Sequence, residues 1–267
     1  MKNLKKISKK LRIDILKMLF AANSGHPGPS LSCLDILVNL FFNGFIKFDA
    51  KNPQWKERDY FILSKGHAAP ALYAILGELE FFAKDHFFNL RQAGALLQGH
   101  PKNNIPGIEV CTGSLGQGLS VACGIALGMK IDQKPNKIFT LHGDGELQEG
   151  QIWEALMTAY QYKLGNLVAI IDKNNLQIDG KTDQICSLGD IEKKFQSFGW
   201  KTFSCDGHDE EQLEKTLQKA IKVKDLPAAI IAKTIKGKGV SFMENQVSWH
   251  GKALSENDFE KALAEQN

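Results

Sequence analysis

Several features that mark particular protein classes are scarce or missing in this sequence. No stretch of about 18 apolar, uncharged residues occurs, so nothing predicts a membrane-spanning helix. Arginine is rare, with Arg12, Arg58 and Arg91 among 267 residues, and the formal net charge is +3. Proteins that bind nucleic acid usually concentrate basic residues on one face. We therefore expect neither a membrane nor a nucleic acid among the partners of this chain.

Paired cysteines and a secretory signal are also missing. The five cysteines are scattered, odd in number, and form no CxxC pair, which indicates reduced thiols and no zinc site. Lysines interrupt residues 2–17 too often for the apolar core of a signal peptide. Both observations predict a cytoplasmic protein.

What the sequence does contain is a regular alternation of short apolar strands and helices. The predicted strands span residues 60–63, 137–142, 166–172, 201–205 and 228–234. The predicted helices span residues 3–22, 116–130, 149–163, 189–198 and 208–223. Three more are predicted: one that begins at a Ser32–Asp35 capping box and extends to Phe42, one that extends to Leu79, and one that begins at Ser255. Apolar strands that alternate with helices predict an α/β fold, a parallel sheet with helices on both faces. We predict a single domain over residues 1–267.

Two polar segments directly follow consecutive predicted strands. The GDG segment that contains Asp144 follows strand 137–142, and the NN segment that begins with Asn174 follows strand 166–172. Because ligands gather at the carboxyl ends of strands in an open parallel sheet, we expect both side chains at one edge. Their few hard oxygen donors suit a Mg²⁺ ion that is shared with substrate phosphates. GDG alone is more often a tight turn, so the inference depends on Asn174 at the next strand end.

Other phosphate-binding motifs are weakly supported. Gly116-Gln-Gly118 opens a helix, but a third glycine at the required spacing and an immediately preceding strand are both missing, which argues against a dinucleotide fingerprint. The sequence contains no GxxxxGK[ST] loop.

Four of the seven histidines lie beside glycine in predicted loops: His26, His67, His100 and His250. A single loop histidine is usually a surface residue, but four in this context predict a polar pocket. Imidazoles there can bind phosphate oxygens or hydroxyls and transfer protons near neutral pH. Of the other three, we interpret His86 and His208 as surface residues and His142 as packing at a strand end.

Stretches that span nearly the whole chain resemble transketolases. They are SGHPG (24–28), LSKGHAAPALY (63–73), QGHP (98–101), PGIEVCTGSLGQGLSVACGIALGMK (106–130), GDGELQEGQIWEA (143–155), IIDKNNLQIDG (170–180) and KTIKGKGVSFMEN with WHG (233–251). GDG followed by NN is typical of thiamine diphosphate enzymes in general, and the histidine loops are similar to the transketolase branch. The resemblance is to the N-terminal, diphosphate-binding part of that family, and it implies the thiamine diphosphate-binding (PP-domain) fold.

The resemblance also implies roles for individual residues. Asp144, Asn174 and the backbone carbonyl of Leu176 would bind Mg²⁺, for which Ca²⁺ or Mn²⁺ could substitute. The residues implied to contact thiamine diphosphate are His67, Gly113, Ser114, Leu115, Gly145, Glu149, Asn174 and His250. The residues implied to face the sugar and assist proton transfer are His26, His100 and His250. Glu149 and Glu154 match acidic positions near the subunit interface, where a proton relay between cofactor sites is proposed for the family.

The pyrimidine-binding and C-terminal domains of the family have no counterpart in this sequence. In the family, a glutamate of the pyrimidine domain activates the cofactor, which serves as an electron sink. We therefore expect the N-terminal subunit of a split transketolase that transfers a two-carbon ketol unit between sugar phosphates. It would need a separate C-terminal subunit, self-associate, and form a heterotetramer. Alone it would bind the cofactor weakly and catalyse nothing; a truncated chain is the alternative.

Other functions stay open at this point. The α chain of a 2-oxo acid dehydrogenase first component shares GDG and NN but not the four histidine loops. Deoxyxylulose-phosphate synthase would have different residues after GDG. A cofactor-binding or scaffold protein without catalytic activity is the non-enzyme alternative.

Overall fold

The computed structural model describes residues 3–266 and contains one five-stranded parallel sheet. The strands are β1 (Tyr60–Leu63), β2 (Ile138–Gly143), β3 (Leu167–Lys173), β4 (Lys201–Asp206) and β5 (Ala228–Lys233). Their order across the sheet is β1-β2-β3-β5-β4, and every neighbouring pair is parallel. The predicted α/β class is confirmed. Met1, Lys2 and Asn267, at the ends of the predicted domain 1–267, lie outside the described residues.

Helices cover both faces of this sheet. They are α1 (Leu4–Ala22), α2 (Pro27–Phe42), α3 (Ala69–Glu78), α4 (Gln117–Ile131), α5 (Gly150–Gln161), α6 (Thr182–Cys186), α7 (Ile191–Ser197), α8 (Glu210–Ala220) and α9 (Glu256–Ala264). Short 3-10 turns occupy Gly66–Ala68, Lys84–Asn89, Gly145–Gln148 and Val247–Trp249. No helix within residues 3–266 is long and apolar enough to cross a membrane.

Strands β2, β3 and β5 are largely apolar on both sides because each side meets a separate core, whereas the edge strand β4 is mostly exposed or half-buried. Leu141 and Ile170 point into a core shared with α1, α2 and α3. Ala169 and Ile171 point into a second core shared with α4, α5 and α7. Since successive side chains of a strand alternate between faces, a parallel sheet covered twice needs the near-continuous apolar runs seen in this sequence.

The predicted start of α2 was wrong. The helix begins at Pro27, with His26 as its N-cap residue, five positions before the proposed capping box. Proline is favoured in the first turn of a helix because its missing N–H would have no intrahelical partner there. The Ser32 hydroxyl does not cap; it donates to the buried carboxylate of Asp172. The SGHPG segment is therefore a helix start that holds His26 at the sheet edge.

Candidate active site

A cavity of about 180 Å³ opens at the carboxyl edge of the sheet. Residues that follow β1, β2, β3 and β5 line it, together with the loop before α2 and the loop before α4. The lining residues are His26, Pro29, Lys65, His67, His100, Gly113, Leu115, Gly143, Asp144, Gly145, Glu146, Asn174, Leu176, Gln177, Ile178, Lys236 and His250. All four histidines of the glycine-flanked loops therefore meet Asp144 and Asn174 in one cavity.

Asp144 and Asn174 are linked through the backbone at their strand ends. The Asn175 N–H donates to one carboxylate oxygen of Asp144 at 2.6 Å, and the Gly145 N–H donates to the other at 2.9 Å. The Leu176 N–H donates to the side-chain oxygen of Asn174 at 3.1 Å. These bonds orient a carboxylate and an amide oxygen toward the same cavity.

The carboxylate of Asp144 lies where negative charge is unfavourable. Burial and the neighbouring charge of Asp172 raise the pKa of Asp144 to about 7. A bound cation would favour the ionised form and offset this cost. The Leu176 carbonyl oxygen already accepts a hydrogen bond from the Lys236 ammonium at 3.3 Å, so this oxygen faces positive charge.

The oxygen donors present fit a divalent cation that is shared with a diphosphate. Asp144, Asn174 and Leu176 offer one carboxylate, one amide and one backbone oxygen, which is too few to complete an octahedral shell. Within residues 3–266, no group of three or more histidine, cysteine, aspartate or glutamate side chains could hold a metal ion by itself. The remaining ligands would have to come from the bound phosphates and water.

A buried ion pair lies beneath the cavity. The Lys65 ammonium is 2.5 Å from the Asp172 carboxylate, and the two side chains are 2% and 0% exposed. The Ser32 and Thr234 hydroxyls also donate to Asp172. Although burial opposes it, the charge of Asp172 raises the pKa of Lys65. Sequence reasoning missed this pair, because a lysine and an aspartate that are far apart in the chain give no local signal.

Lys236 is the second missed cation. It is 1% exposed, and its ammonium lies 2.8 Å from Nδ1 of His250. Burial and the charge of Lys65 lower the pKa of Lys236 to about 8. Because Asp172 neutralises Lys65, Lys236 is left to offer positive charge to a phosphorylated ligand at the base of the cavity.

Three of the imidazoles form a cluster. The ring centroids of His26, His67 and His250 are 5.1 to 5.6 Å apart. Burial, with neighbouring positive charges, lowers the pKa of His26 to about 4, that of His250 to about 3, and that of His67 well below its ordinary value. All three are therefore neutral at neutral pH. Nδ1 of His26 is buried without a hydrogen-bond partner among the described residues, so it is free to meet a ligand.

The loop before α4 forms another wall. Gly113 packs on the ring of His100, since a Cβ at Gly113 would lie 3.1 Å from that ring. Gly113 and Leu115 line the cavity, whereas Ser114 is exposed and outside the lining. Sequence reasoning also missed Glu146. Its buried carboxylate accepts hydrogen bonds from the Gly116 N–H at 3.0 Å and from the Gly143 N–H at 3.1 Å, so it connects this loop to the GDG segment.

Glu149 and Glu154 lie outside the cavity. Both are exposed; Glu149 precedes α5 and Glu154 belongs to it. The Cβ of Glu149 packs on Gly116 and not against the cavity. An interface role for either residue, and a cofactor contact of Glu149 or Ser114, remain predictions.

The interpretation of His208 as a surface residue was wrong. Its side chain is largely buried, with Nδ1 2.7 Å from the Asp35 carboxylate and Nε2 accepting from the Ile235 N–H at 2.8 Å. Ile235 directly precedes Lys236, so His208 supports the segment that enters the cavity. The glycine and aspartates around His208 resembled an ordinary helix start, which concealed the tertiary contact.

Comparison with known proteins gives a consistent result. The family model described as "Transketolase, thiamine diphosphate binding domain" matches residues 3–265. The chain is 40% identical to one of the subunits of the apulose-4-phosphate transketolase of Phocaeicola vulgatus, over 97% of this chain and 92% of that protein. It is 43% identical to the 6-deoxy-6-sulfo-D-fructose transketolase subunit SqwG of a Clostridium species, over 90% of this chain and 88% of that protein.

Longer relatives match over part of their length. Human transketolase is 42% identical over 98% of this chain, which spans 42% of the human protein. The crystal structure of transketolase from Campylobacter jejuni superposes with a TM-score of 0.94 at 36% identity, over all of this chain and 43% of that one.

Proposed function

Because the chain belongs to the transketolase family and carries its thiamine diphosphate binding domain, we propose that it is the cofactor-binding subunit of a two-subunit transketolase. The enzyme transfers a two-carbon ketol unit from a ketose phosphate to an aldose phosphate. The observation that carries this proposal is the meeting of Asp144, Asn174, the Leu176 carbonyl and the histidine cluster in one cavity. The two relatives named as transketolase subunits have nearly the length of this chain.

In this proposal Asp144, Asn174 and the Leu176 carbonyl would hold Mg²⁺, for which Ca²⁺ or Mn²⁺ could substitute. His67, Gly145 and His250 contact the diphosphate. A metal held there would neutralise phosphate charge at the strand ends, and the Lys236 ammonium would add positive charge. The donor set supports this assignment.

The chain's own residues then bind, orient and move protons. Once bound, thiamine diphosphate supplies the electron sink for cleavage of the ketose. The neutral imidazoles of His26, His100 and His250 face the sugar, where each can accept a proton or hold a hydroxyl. The unpaired Nδ1 of His26 supports its assignment to the sugar.

The partners follow from the surfaces around the site. Ile178 lines the cavity although it is 62% exposed, which suits a mouth covered by the pyrimidine domain of a C-terminal subunit. On α4 and α5, which pack together, Val121, Ile131, Met157 and Tyr160 are exposed. We assign this α4–α5 face to a second copy of this chain, which gives a heterotetramer. Five free cysteines are consistent with the reducing cytoplasm as its location.

The substrate is an acidic ketose. The relatives described above carry apulose 4-phosphate and 6-deoxy-6-sulfo-D-fructose in their names, and these sugars bear a phosphate and a sulfonate. Sugar phosphates of the pentose phosphate pathway are the first substrates to test for this chain.

The test is reconstitution. The chain is mixed with its C-terminal subunit, thiamine diphosphate and Mg²⁺, and ketol transfer is measured with xylulose 5-phosphate and ribose 5-phosphate, and with apulose 4-phosphate as donor. We expect transfer by the complex and none by its separated components. Activity of the chain by itself, or decarboxylation of pyruvate in place of ketol transfer, would contradict the proposal. Cofactor binding without any complementing subunit would support the non-catalytic alternative.

Asp144→Asn tests the metal assignment, because it keeps the shape of the side chain and removes its charge. Isothermal titration calorimetry of the complex reconstituted with the C-terminal subunit should then show no Mg²⁺-dependent binding of thiamine diphosphate. Asp179→Asn, in the loop after Ile178, is the control and should bind like the unmodified chain. Unchanged binding by Asp144→Asn would overturn the metal assignment.

A further inference from the structure

Arg91 differs from the other two arginines of the chain. Arg12 lies 3.7 Å from the carboxylate of Asp35, and Arg58 lies 2.6 Å from that of Glu109. No carboxylate of residues 3–266 lies within 4 Å of Arg91, whose side chain is half-buried. A partly buried guanidinium without a counterion carries a desolvation cost that hydrogen bonds have to offset.

The Arg91 side chain touches two of the histidine loops at once. Its Nη1 donates to the Ser24 hydroxyl at 2.5 Å, in the loop that continues to His26. Its guanidinium also lies against Gly99, where an added Cβ would be 2.8 Å from Nε. Gly99 directly precedes His100, so only a residue without a side chain leaves room for the guanidinium there.

The backbone of Arg91 is held in an unusual conformation. Its φ is 64°, in the left-handed region that L residues other than asparagine, aspartate and glycine rarely adopt. The Arg91 N–H donates to the Leu97 carbonyl at 3.0 Å, which closes the turn before Gly99. This turn directs the side chain toward both histidine loops.

We propose that Arg91 is a positioning residue, which fixes the loops that carry His26 and His100 against each other so that both imidazoles face the substrate end of the cavity. The proposal rests on the proposed function, because it takes these two histidines as the groups that meet the sugar.

The charge of Arg91 adds an electrostatic effect to this geometry. Burial first, and then Arg91, lower the pKa of His26 to about 4, and the same two causes lower the pKa of His100. The other titratable or charged groups that act on or contact His26 are His67, His100, His250, Lys65 and Lys236. None of these is acidic, so both imidazoles stay neutral and able to accept a proton at neutral pH.

Histidine titration by NMR tests the electrostatic effect directly. The spectra use the full chain, with signals assigned from single His→Gln variants. In Arg91→Gln we expect the midpoints of His26 and His100 to rise by at least about half a pH unit, whereas Arg91→Lys should change them little. Lys102→Gln removes an exposed charge two residues after His100 and is the matched control. Unchanged midpoints in Arg91→Gln, or an equal rise in Lys102→Gln, would overturn the electrostatic part.

Kinetics of the reconstituted complex test the positioning. We expect Arg91→Gln to lower kcat by on the order of tenfold to a hundredfold, because misplaced reacting groups lose alignment. The affinity for thiamine diphosphate should change by less than about twofold, since Arg91 touches no residue assigned to the diphosphate. Ser24→Ala should lower kcat less and leave the histidine midpoints in place. An unchanged kcat would overturn the positioning role.

Gly99→Ala keeps the test decisive if Arg91→Gln folds poorly. An alanine Cβ would displace the guanidinium while Arg91 itself is retained, so kcat should fall and the His100 midpoint should rise. If the unmodified complex shows no ketol transfer, the proposed function fails, yet the NMR titration still decides whether Arg91 sets these two histidines. If transfer occurs and no variant differs from the unmodified chain, only the Arg91 proposal fails.

Discussion

Among the residues around the site, we expect the largest loss in the free energy of unfolding when one partner of the Lys65–Asp172 ion pair is removed. Removing one partner of a buried ion pair leaves an uncompensated charge and typically costs about 3–5 kcal/mol. Lys65→Met should therefore lower the free energy of unfolding by about that amount in urea titrations, because Asp172 is fully buried. Lys65→Met combined with Asp172→Asn should recover part of the loss. A double variant less stable than Lys65→Met would contradict the assignment of the cost to the unpaired carboxylate.

His26 gives the chain a specific pH dependence. Its pKa is about 4 in the folded chain against an ordinary value of 6.5, so between these values the unfolded chain binds more protons. Its contribution to stability is complete above pH 6.5 and is lost as the pH falls toward 4. The free energy of unfolding should drop more between about pH 7 and pH 5 in the unmodified chain than in His26→Asn. Equal drops would show that His26 is not held neutral by the fold.

At the scale of elements, α4 carries glycines in two different environments. A Cβ at Gly118 would lie 2.4 Å from the Ser64 hydroxyl oxygen, so α4 approaches the end of β1 closely. Gly124 and Gly128 face open space. Of the three glycines within α4, only Gly118 makes such a close approach to another element of the described residues.

These two environments predict opposite effects of one substitution. Gly118→Ala should destabilise the chain by about 1–3 kcal/mol through overpacking. In the unassociated chain, Gly124→Ala should stabilise the fold by about 0.5–1 kcal/mol, because alanine restricts the unfolded chain and favours a helix. Thermal unfolding of both variants checks this, and a stabilised Gly118→Ala would mean that the helix and strand are not in contact.

The elements also show what sequence could predict. Strand β1 was predicted at residues 60–63 and is found there, because a short run of aromatic and aliphatic residues between polar segments is typical of a buried strand. The start of α2 was missed because Ser32 and Asp35 fit a capping box locally while the tertiary structure uses Ser32 for Asp172. Local patterns determine elements, and a buried long-range bond can override them.

The same division applies to the candidate site. Asp144 and Asn174 could be predicted together, because strand ends are readable from the pattern and parallel strands end at one edge. Lys65, Glu146 and Lys236 were missed, because nothing near them in the sequence distinguishes a buried lysine or glutamate from a solvated one.

At the scale of the whole molecule, the proposed activity needs an assembly. We expect the α4–α5 face to bind a second copy, so Met157→Glu should weaken self-association at least about tenfold in sedimentation equilibrium. Met157 is 53% exposed. Phe88, which is 55% exposed in the turn packed on α1, offers a matched control in Phe88→Glu. Equal effects of the two changes would place the interface elsewhere.

The most direct test of the central claim is the position of the cation. Crystals of the chain with thiamine diphosphate and Mn²⁺ would reveal the metal by its anomalous scattering. We predict one peak about 2.1 Å from oxygens of Asp144, Asn174 and the Leu176 carbonyl, with diphosphate oxygens completing the shell. A peak on the histidine cluster, or a diphosphate bound away from Asp144, would contradict this prediction.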